Sequence, residues 1–217
     1  KDADDTLPFG TEQNIIEEGY RSLAHSIKVV QVKEEHKRVT FGGPHCSNPY
    51  SASRLNISAM SFGALSSAAI AALNKGAAKG GFAQNTGEGG LSEYHLTNGG
   101  DIIWQIGTGY FGCRNKDGSF NDDAFAERAN LDIVKMIEIK ISQGAKPSHG
   151  GVLPGVKVTQ EIADIRLVEA GEAVLSPPTH PEFDTPGGLL DFVARLRKLG
   201  GGKPVGFKLC LGKKPEF

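Results

Sequence analysis

Three glycine-rich, polar stretches contain residues whose types and spacing suit the binding of a ligand. They are SFGALS at residues 61–66, NTGEGG at 85–90 and GAKP at 144–147, the last followed by Gly150 and Gly151. Glycine has no side chain and accepts unusual backbone dihedrals, so backbone amides in such loops can approach a planar ring or an anion closely. A single loop of this kind more often serves turn geometry. Three at the ends of successive predicted strands indicate a binding site.

Basic side chains near these stretches suit the binding of carboxylates. Lysine and arginine form charge-assisted hydrogen bonds with carboxylates, and arginine can do so through two parallel N–H groups. Lys140 alternates with Met136 and Glu138, so the three side chains share one face of a strand. A charged pair is unfavourable against a layer of helices, which predicts that this face points toward an open mouth of the sheet.

Two further charged residues have both a functional and a structural interpretation. Glu88 lies inside the second glycine-rich stretch and is either a catalytic acid or a solvated loop residue. Lys208 ends a predicted strand and is either a cation beside a ligand or a lysine that reaches solvent. The residue types alone leave both alternatives open.

The histidines and cysteines give no sign of a metal site or a disulfide framework. His149 and His180 have no second ligand at a suitable spacing, so we interpret them as loop histidines and predict no metal. Cys113 follows a GYFG stretch without an identifiable histidine partner, which favours a structural thiol. The cysteines are odd in number and form no CxxC pair, which indicates a reducing, cytoplasmic compartment; they are Cys46, Cys113 and Cys210.

The overall composition is that of a globular domain. The 217 residues carry 24 lysines and arginines against 25 acids, and 39% of the residues are hydrophobic. Without basic clusters the chain does not resemble a nucleic-acid binder. No stretch approaches the roughly 20 apolar residues of a membrane span. The sequence starts at Lys1, so a preceding segment, and with it membrane association of the full-length protein, is not excluded.

The elements that must position these residues follow an alternating β/α pattern. Residues 1–54 are polar and irregular, and we predict a lead-in segment with one helix over residues 11–25. From residue 55 onward, short apolar runs alternate with helical segments or glycine-rich loops, which is typical of parallel β/α units. We predict five strands, at residues 55–60, 82–85, 101–106, 135–139 and 205–209.

Helix caps separate these strands, and the spacing is typical of a TIM barrel. Ser66, Thr159 and Thr185 are predicted N-caps, the last with Pro186 at the first helical position. A TIM (β/α)8 barrel has eight β/α units in typically about 250 residues. We therefore expect residues 55–217 to be the N-terminal part of one α/β barrel domain, with about the first five strands present.

Three motifs give the chain a specific resemblance. MSFGALS at residues 60–66, NTGEGG at 85–90 and EIKISQGAKP at 138–147 resemble motifs of the glutamate synthase family, in the family's order. Weaker matches continue to about residue 210. The chain is thus similar to the FMN-binding synthase domain of glutamate synthase.

The resemblance implies a flavin and an acidic substrate. FMN would lie over the C-terminal mouth of the barrel, with Lys208 stabilising the negative charge of the reduced ring. A 2-oxoacid substrate would lie nearby, with Glu88 close to the reacting centre. The implied flavin-binding residues are Ala59, Met60, Ser61, Thr86, Gln105 and Lys208, and the implied substrate-binding residues are Lys140, Gln143, Lys146 and Arg166.

One departure from the family's pattern lies beside the expected substrate. Where the family typically has GEGGQLPG, this chain has SHGGVLPG at residues 148–155, which removes a carboxylate and an amide. We expect a stand-alone glutamate-synthase-like protein whose contacts with the substrate differ from the family's, and the departure leaves the exact substrate open. The iron–sulfur cysteines of the family would lie beyond Phe217, and a separate protein could serve as electron donor.

The sequence therefore predicts an FMN-dependent oxidoreductase of the glutamate synthase type. It would reduce a 2-imino acid, formed from 2-oxoglutarate or a related 2-oxoacid and ammonia, to an amino acid such as glutamate. Two alternatives stay open. One is a TIM-barrel lyase in which Lys208 or Lys140 forms a Schiff base, and the other is a flavin-free binding module that has kept the fold.

Overall fold

A parallel β-sheet is the centre of the structure. The computed structural model describes residues 17–19, 27–142 and 150–210. Within these ranges the strands are β1 (Arg38–Phe41), β2 (Tyr50–Ser53), β3 (Gln84–Asn85), β4 (Ile102–Ile106), β5 (Val134–Lys140), β6 (Val152–Leu153), β7 (Val174–Leu175) and β8 (Val205–Lys208).

The central sheet has four strands in the order β3-β4-β5-β8, all parallel. Ile57 extends it through one parallel bridge to Gln84, supported by the hydrogen bonds Ile57 N to Ala83 O and Asn85 N to Ile57 O. The order in the sheet follows the order in the chain, as β/α units produce. The predicted α/β class with a parallel sheet is confirmed, and a closed barrel stays a prediction.

Five α-helices accompany the sheet in the described ranges. Each predicted N-cap is confirmed: Ser66 Oγ accepts from Ala69 N at 3.3 Å and Thr159 Oγ1 from Ile162 N at 3.3 Å. The predicted cap at Thr185, with Pro186 at the first helical position, is also present. The helices are α1 (Ser67–Gly80), α2 (Glu93–Leu96), α3 (Asp122–Ala129), α4 (Gln160–Arg166) and α5 (Pro186–Leu199).

The two faces of the sheet differ in chemistry. On the helix-covered face, buried side chains of β4 and β5 pack on α3 and α5, and the Trp104 and Phe125 rings stack at 5.3 Å. The opposite face, which we name the cavity face, carries the alternate residues Gln105, Glu138 and Lys140. Strand alternation explains the separation, since successive side chains point to opposite faces.

The lead-in segment is more ordered than predicted. Residues 38–53 contain an antiparallel hairpin, β1 with β2, where we predicted irregular structure. Tyr50 and Ala52 pack with Met136 on the cavity face, and Tyr50 Oη donates to Asp101 Oδ2 at 2.7 Å. These contacts stabilise the hairpin and are distant in sequence, so local pattern could not predict them.

Two other predicted boundaries need correction. The strand over residues 55–60 is reduced to the single bridge at Ile57, and the strand over 82–85 to Gln84–Asn85. The helix over residues 11–25 falls mostly outside the described residues, and the described positions 17–19 form a turn. In the part of the chain that the structure describes, no helix is long and apolar enough to cross a membrane.

His95 should make stability depend on pH. Its buried ring accepts from Ser92 N at 3.2 Å, and burial lowers its pKa from 6.5 to about 4. Between these values the unfolded chain binds a proton that the folded chain does not, so stability falls as the pH falls. In urea denaturation of the full-length protein, we expect a loss of about 2 kcal/mol between pH 7 and pH 5.

A matched pair of variants tests this assignment. His95→Gln should reduce the pH dependence, with the part due to buried His180 remaining, whereas His36→Gln, at an exposed position, should leave it unchanged. An unaltered pH slope in His95→Gln would assign the effect to other groups.

Candidate active site

A cavity of about 260 Å³ lies at the C-terminal ends of the parallel strands. Segments that follow Ile57 and β3 meet there with residues of β4, β5 and β8. The cavity is lined by Ala59, Met60, Ser61, Ala64, Leu65, Gly87, Glu88, Gln105, Lys140 and Lys208. Seven of these were predicted as flavin, substrate or catalytic residues, so separate sequence motifs converge on one place.

An ion pair crosses the cavity. Lys140 Nζ lies 2.7 Å from Glu88 Oε1, and the two side chains are only 15% and 21% exposed. Lys140 is also the register partner of Lys208 on the neighbouring strand, so two basic side chains stand side by side at the mouth. With one carboxylate among them, this edge of the sheet is suited to an anionic ligand.

Glycines give the Glu88 carboxylate its space. A Cβ at Gly107 would lie 2.6 Å from Glu88 Oε2, and one at Gly151 would lie 3.0 Å from Oε1. Any larger residue at Gly107 would have to displace the carboxylate. The sequence indicated glycine at Gly151 but gave no reason to single out Gly107.

The first two glycine-rich stretches touch through their backbones. Gly87 has φ of 66°, and a Cβ there would lie 2.7 Å from Ser61 N. Gly87 N donates to Asn85 Oδ1 at 3.0 Å, which fixes the turn. This close approach explains why glycine is needed at the position.

Gly87→Ala is expected to lower the stability of the full-length protein by about 3 kcal/mol, since it adds a backbone clash to a positive φ. Gly81→Ala is the matched control because Gly81 has φ of 65° and nothing within 4 Å of its Cβ position. The control should cost about 1 kcal/mol. Equal losses in urea denaturation would show that the contact with Ser61 does not matter.

Thr86 and Gln105 form a polar layer beside the cavity. Both are buried. Thr86 Oγ1 accepts from Gln105 N at 3.0 Å and donates to Gly87 O at 2.8 Å. These bonds connect the end of β3 to β4. Thr86 is not among the cavity-lining residues, and its predicted contact with the flavin stays a prediction.

Arg166 interacts electrostatically with Glu88 but is not among the residues that line the cavity. It ends α4, is 5% exposed, donates from Nη2 to Phe62 O at 3.2 Å and lies 5.1 Å above the Phe111 ring. Burial lowers its pKa, and the charge of Glu88 partly opposes that shift. The side chain anchors the first glycine-rich stretch, and its predicted substrate contact stays untested.

Two predicted substrate residues, Gln143 and Lys146, lie outside the described residues, as does His149. The third glycine-rich stretch is thus described only at Gly150 and Gly151. Ser176 N donates to Gly151 O at 2.9 Å, and the close approach of Gly151 to Glu88 places this end of the stretch beside the cavity.

His180 lies in a loop, as predicted, and is buried there. Its Nε2 lies 2.8 Å from Lys140 O and its Nδ1 lies 3.1 Å from Tyr110 Oη. Burial lowers the pKa of His180, which favours a neutral ring that anchors the end of β5. The sequence showed the histidine but not its partners.

The remaining thiol and metal candidates have no catalytic geometry. Cys113 is fully buried, and burial raises the pKa of its thiol well above the usual range, so it is a poor nucleophile. Across residues 17–19, 27–142 and 150–210, no group of three or more histidine, cysteine or acidic side chains could hold a metal.

Comparison with known proteins identifies the family of the chain. The family described as "Conserved region in glutamate synthase" matches residues 17–216. A glutamate synthase large subunit-like protein, YerD, of Bacillus subtilis (strain 168) is 46% identical over 190 residues, which are 87% of this chain and 34% of that protein. The chain belongs to the glutamate synthase family.

Two further relatives also match most of this chain along only part of their own length. The archaeal glutamate synthase [NADPH] of Archaeoglobus fulgidus is 36% identical over 70% of this chain and 28% of its own length. A glutamate synthase large subunit-like protein of Rhizobium meliloti (strain 1021) is 29% identical over 92% of this chain and 40% of its own length. The chain thus spans about a third of the length of the curated relatives it matches.

Proposed function

We propose that the full-length protein is an FMN-dependent oxidoreductase that converts a 2-oxoacid and ammonia to an amino acid such as glutamate. The observation that carries the proposal is that one cavity is lined by all of Met60, Ser61, Gln105, Lys140 and Lys208. These residues come from separate motifs of the glutamate synthase family, to which the chain belongs.

The residues around the cavity fit a planar anionic cofactor. The backbone of Gly87 approaches Ser61 closely, which leaves a smooth wall of small residues with Ala59. Gln105 and Lys208 supply a polar edge. When bound, FMN would supply the hydride that reduces the imino carbon. Lys208 would hold positive charge where negative charge develops. We also propose that this parallel sheet is part of a complete TIM barrel in the full-length protein.

The charges beside the cavity favour an acidic substrate. Lys140 and Lys208 are neighbours on β5 and β8, and the predicted Gln143 and Lys146 would add further donors. Glu88 Oε1 is 2.7 Å from Lys140 Nζ, so a proton could pass between them and a substrate nitrogen. We propose a 2-oxoacid with a second carboxylate, such as 2-oxoglutarate.

The remaining reactants are part of the same proposal. We propose free ammonia as the nitrogen source and a separate protein as electron donor. An iron–sulfur cluster would be held by residues outside this chain. The name of one relative includes NADPH. A screen of reductants for the full-length protein would therefore compare a donor protein with a nicotinamide, and reduction by the nicotinamide alone would contradict the donor protein.

The proposal is tested on the purified full-length protein. Its absorption spectrum should be that of a flavin, with FMN released on denaturation. Without oxygen, the reduced protein should be reoxidised by 2-oxoglutarate with ammonium and not by glutamine alone. Reoxidation only by uncharged carbonyl compounds would exclude the glutamate-forming reaction, and a colourless, folded protein would exclude the flavin.

The Schiff-base alternative has a separate test. Lys140 is held by Glu88 as an ion pair, and a protonated lysine is not a nucleophile. Borohydride added with a 2-oxoacid should therefore leave no covalent adduct on Lys140, and the proposed role of Lys208 beside the flavin predicts none on Lys208 either. An adduct found by mass spectrometry would favour the lyase.

A further inference from the structure

Glu138 is a charged residue on the cavity face to which the proposed reaction gives no role. It precedes Lys140 by two residues on β5, on the same face of the strand, and is in register with Gln105 of β4 and Gly206 of β8. Gly206 has no side chain, so the polar neighbours of Glu138 come from the β3 and β4 side.

Two buried amides donate to the same oxygen of Glu138. Gln105 Nε2 lies 2.6 Å and Asn85 Nδ2 lies 2.9 Å from Glu138 Oε1. A carboxylate only accepts hydrogen bonds, so each amide must present its NH₂ group to Glu138. The carbonyl oxygens of both amides are thereby directed to other partners.

The partner of Asn85 supports this orientation independently. Asn85 Oδ1 accepts the backbone N–H of Gly87 at 3.0 Å, which only the oxygen of the amide can do. Gln105 is 2% exposed and lines the cavity, and with its NH₂ group on Glu138 its Oε1 is directed away from Glu138. An amide oxygen at the wall of a binding cavity can accept a hydrogen bond from a ligand.

We propose that Glu138 is a positioning residue that orients the Gln105 amide, so that Gln105 Oε1 accepts a hydrogen bond from an N–H at the edge of the bound ring. The inference rests on the proposed function. An oxidised flavin has one such N–H, at N3, flanked by two carbonyl groups. Glu138 thus determines that the site recognises a donor at this point of the ring.

The test compares two ligands in flavin-free full-length protein. FMN has the N3–H donor, and N3-methyl-FMN does not. The wild type should bind FMN at least about tenfold more tightly than the methylated analogue, since Gln105 Oε1 would lose its donor in the complex. A ratio near one in the wild type overturns the inference before any variant is made.

Variants then assign the effect to Glu138. In Glu138→Leu the shared acceptor is lost and nothing holds the NH₂ group of the Gln105 amide on this side, so the amide can turn over. We expect the preference for FMN to fall to near one. In Glu138→Gln one amide oxygen can still accept from both Asn85 and Gln105, so the preference should be kept.

The controls separate this inference from the proposed function. Glu127→Gln, on the exposed side of α3, should keep the wild-type ratio. If Glu138→Leu binds FMN with an unchanged ratio, Glu138 has only a structural role while the flavin assignment stands. If the wild type binds no FMN, both fail.

Discussion

Lys208→Met in the full-length protein should slow reduction of the bound flavin by about 100-fold, corresponding to about 3 kcal/mol of barrier. Lys208 lines the cavity at the end of β8, where its ammonium would stabilise the negative charge of the reduced ring. Removing the cation should also lower the reduction potential. FMN affinity should change much less, because the oxidised ring carries no such charge.

Stopped-flow reduction and a potentiometric titration measure these two quantities. The matched control is Lys135→Met, a lysine of β5 that does not line the cavity, and it should leave both values near those of the wild type. Unchanged reduction kinetics in Lys208→Met would assign Lys208 to structure.

The Glu88–Lys140 pair should show strong energetic coupling. Because both side chains are mostly buried, Lys140→Met leaves a carboxylate and Glu88→Gln leaves an ammonium without its partner. Each single variant should lower the free energy of unfolding by about 2 kcal/mol. The double variant should lose clearly less than the sum of the two.

An exposed ion pair provides the comparison. Lys37 pairs with Glu34 on the surface, where both side chains are at least half exposed, so Lys37→Met should have little effect. Urea denaturation of the four variants measures the coupling. Additive losses for Glu88→Gln and Lys140→Met would mean that the interaction between the two side chains contributes nothing to stability.

Local signals in the sequence determined much of the framework. The caps at Ser66, Thr159 and Thr185 were predictable because a cap side chain bonds a backbone N–H only two or three residues away. The strands β4 and β5 were predictable because their alternation is long enough to define two faces. Family motifs then indicated which residues to expect near a ligand.

Only the tertiary structure decided how these residues meet. The sequence placed Lys140 and Glu138 on one face, but the partners of that face come from other strands: Glu88 for Lys140, and Gln105 with Asn85 for Glu138. Register between strands is set by packing across the whole sheet, which no local pattern encodes.

The same limit explains the largest correction and the placement of Arg166. The β1–β2 hairpin is stabilised by contacts of Tyr50 and Ala52 with β5, about 85 positions away, and the polar composition of the segment concealed them. The family resemblance implied that Arg166 lies beside the substrate, and that contact stays a prediction. The position of Arg166 against Phe62 and Phe111 follows from where α4 docks. Residue type and spacing determine which chemistry is possible, whereas docking decides which groups are close enough to perform it.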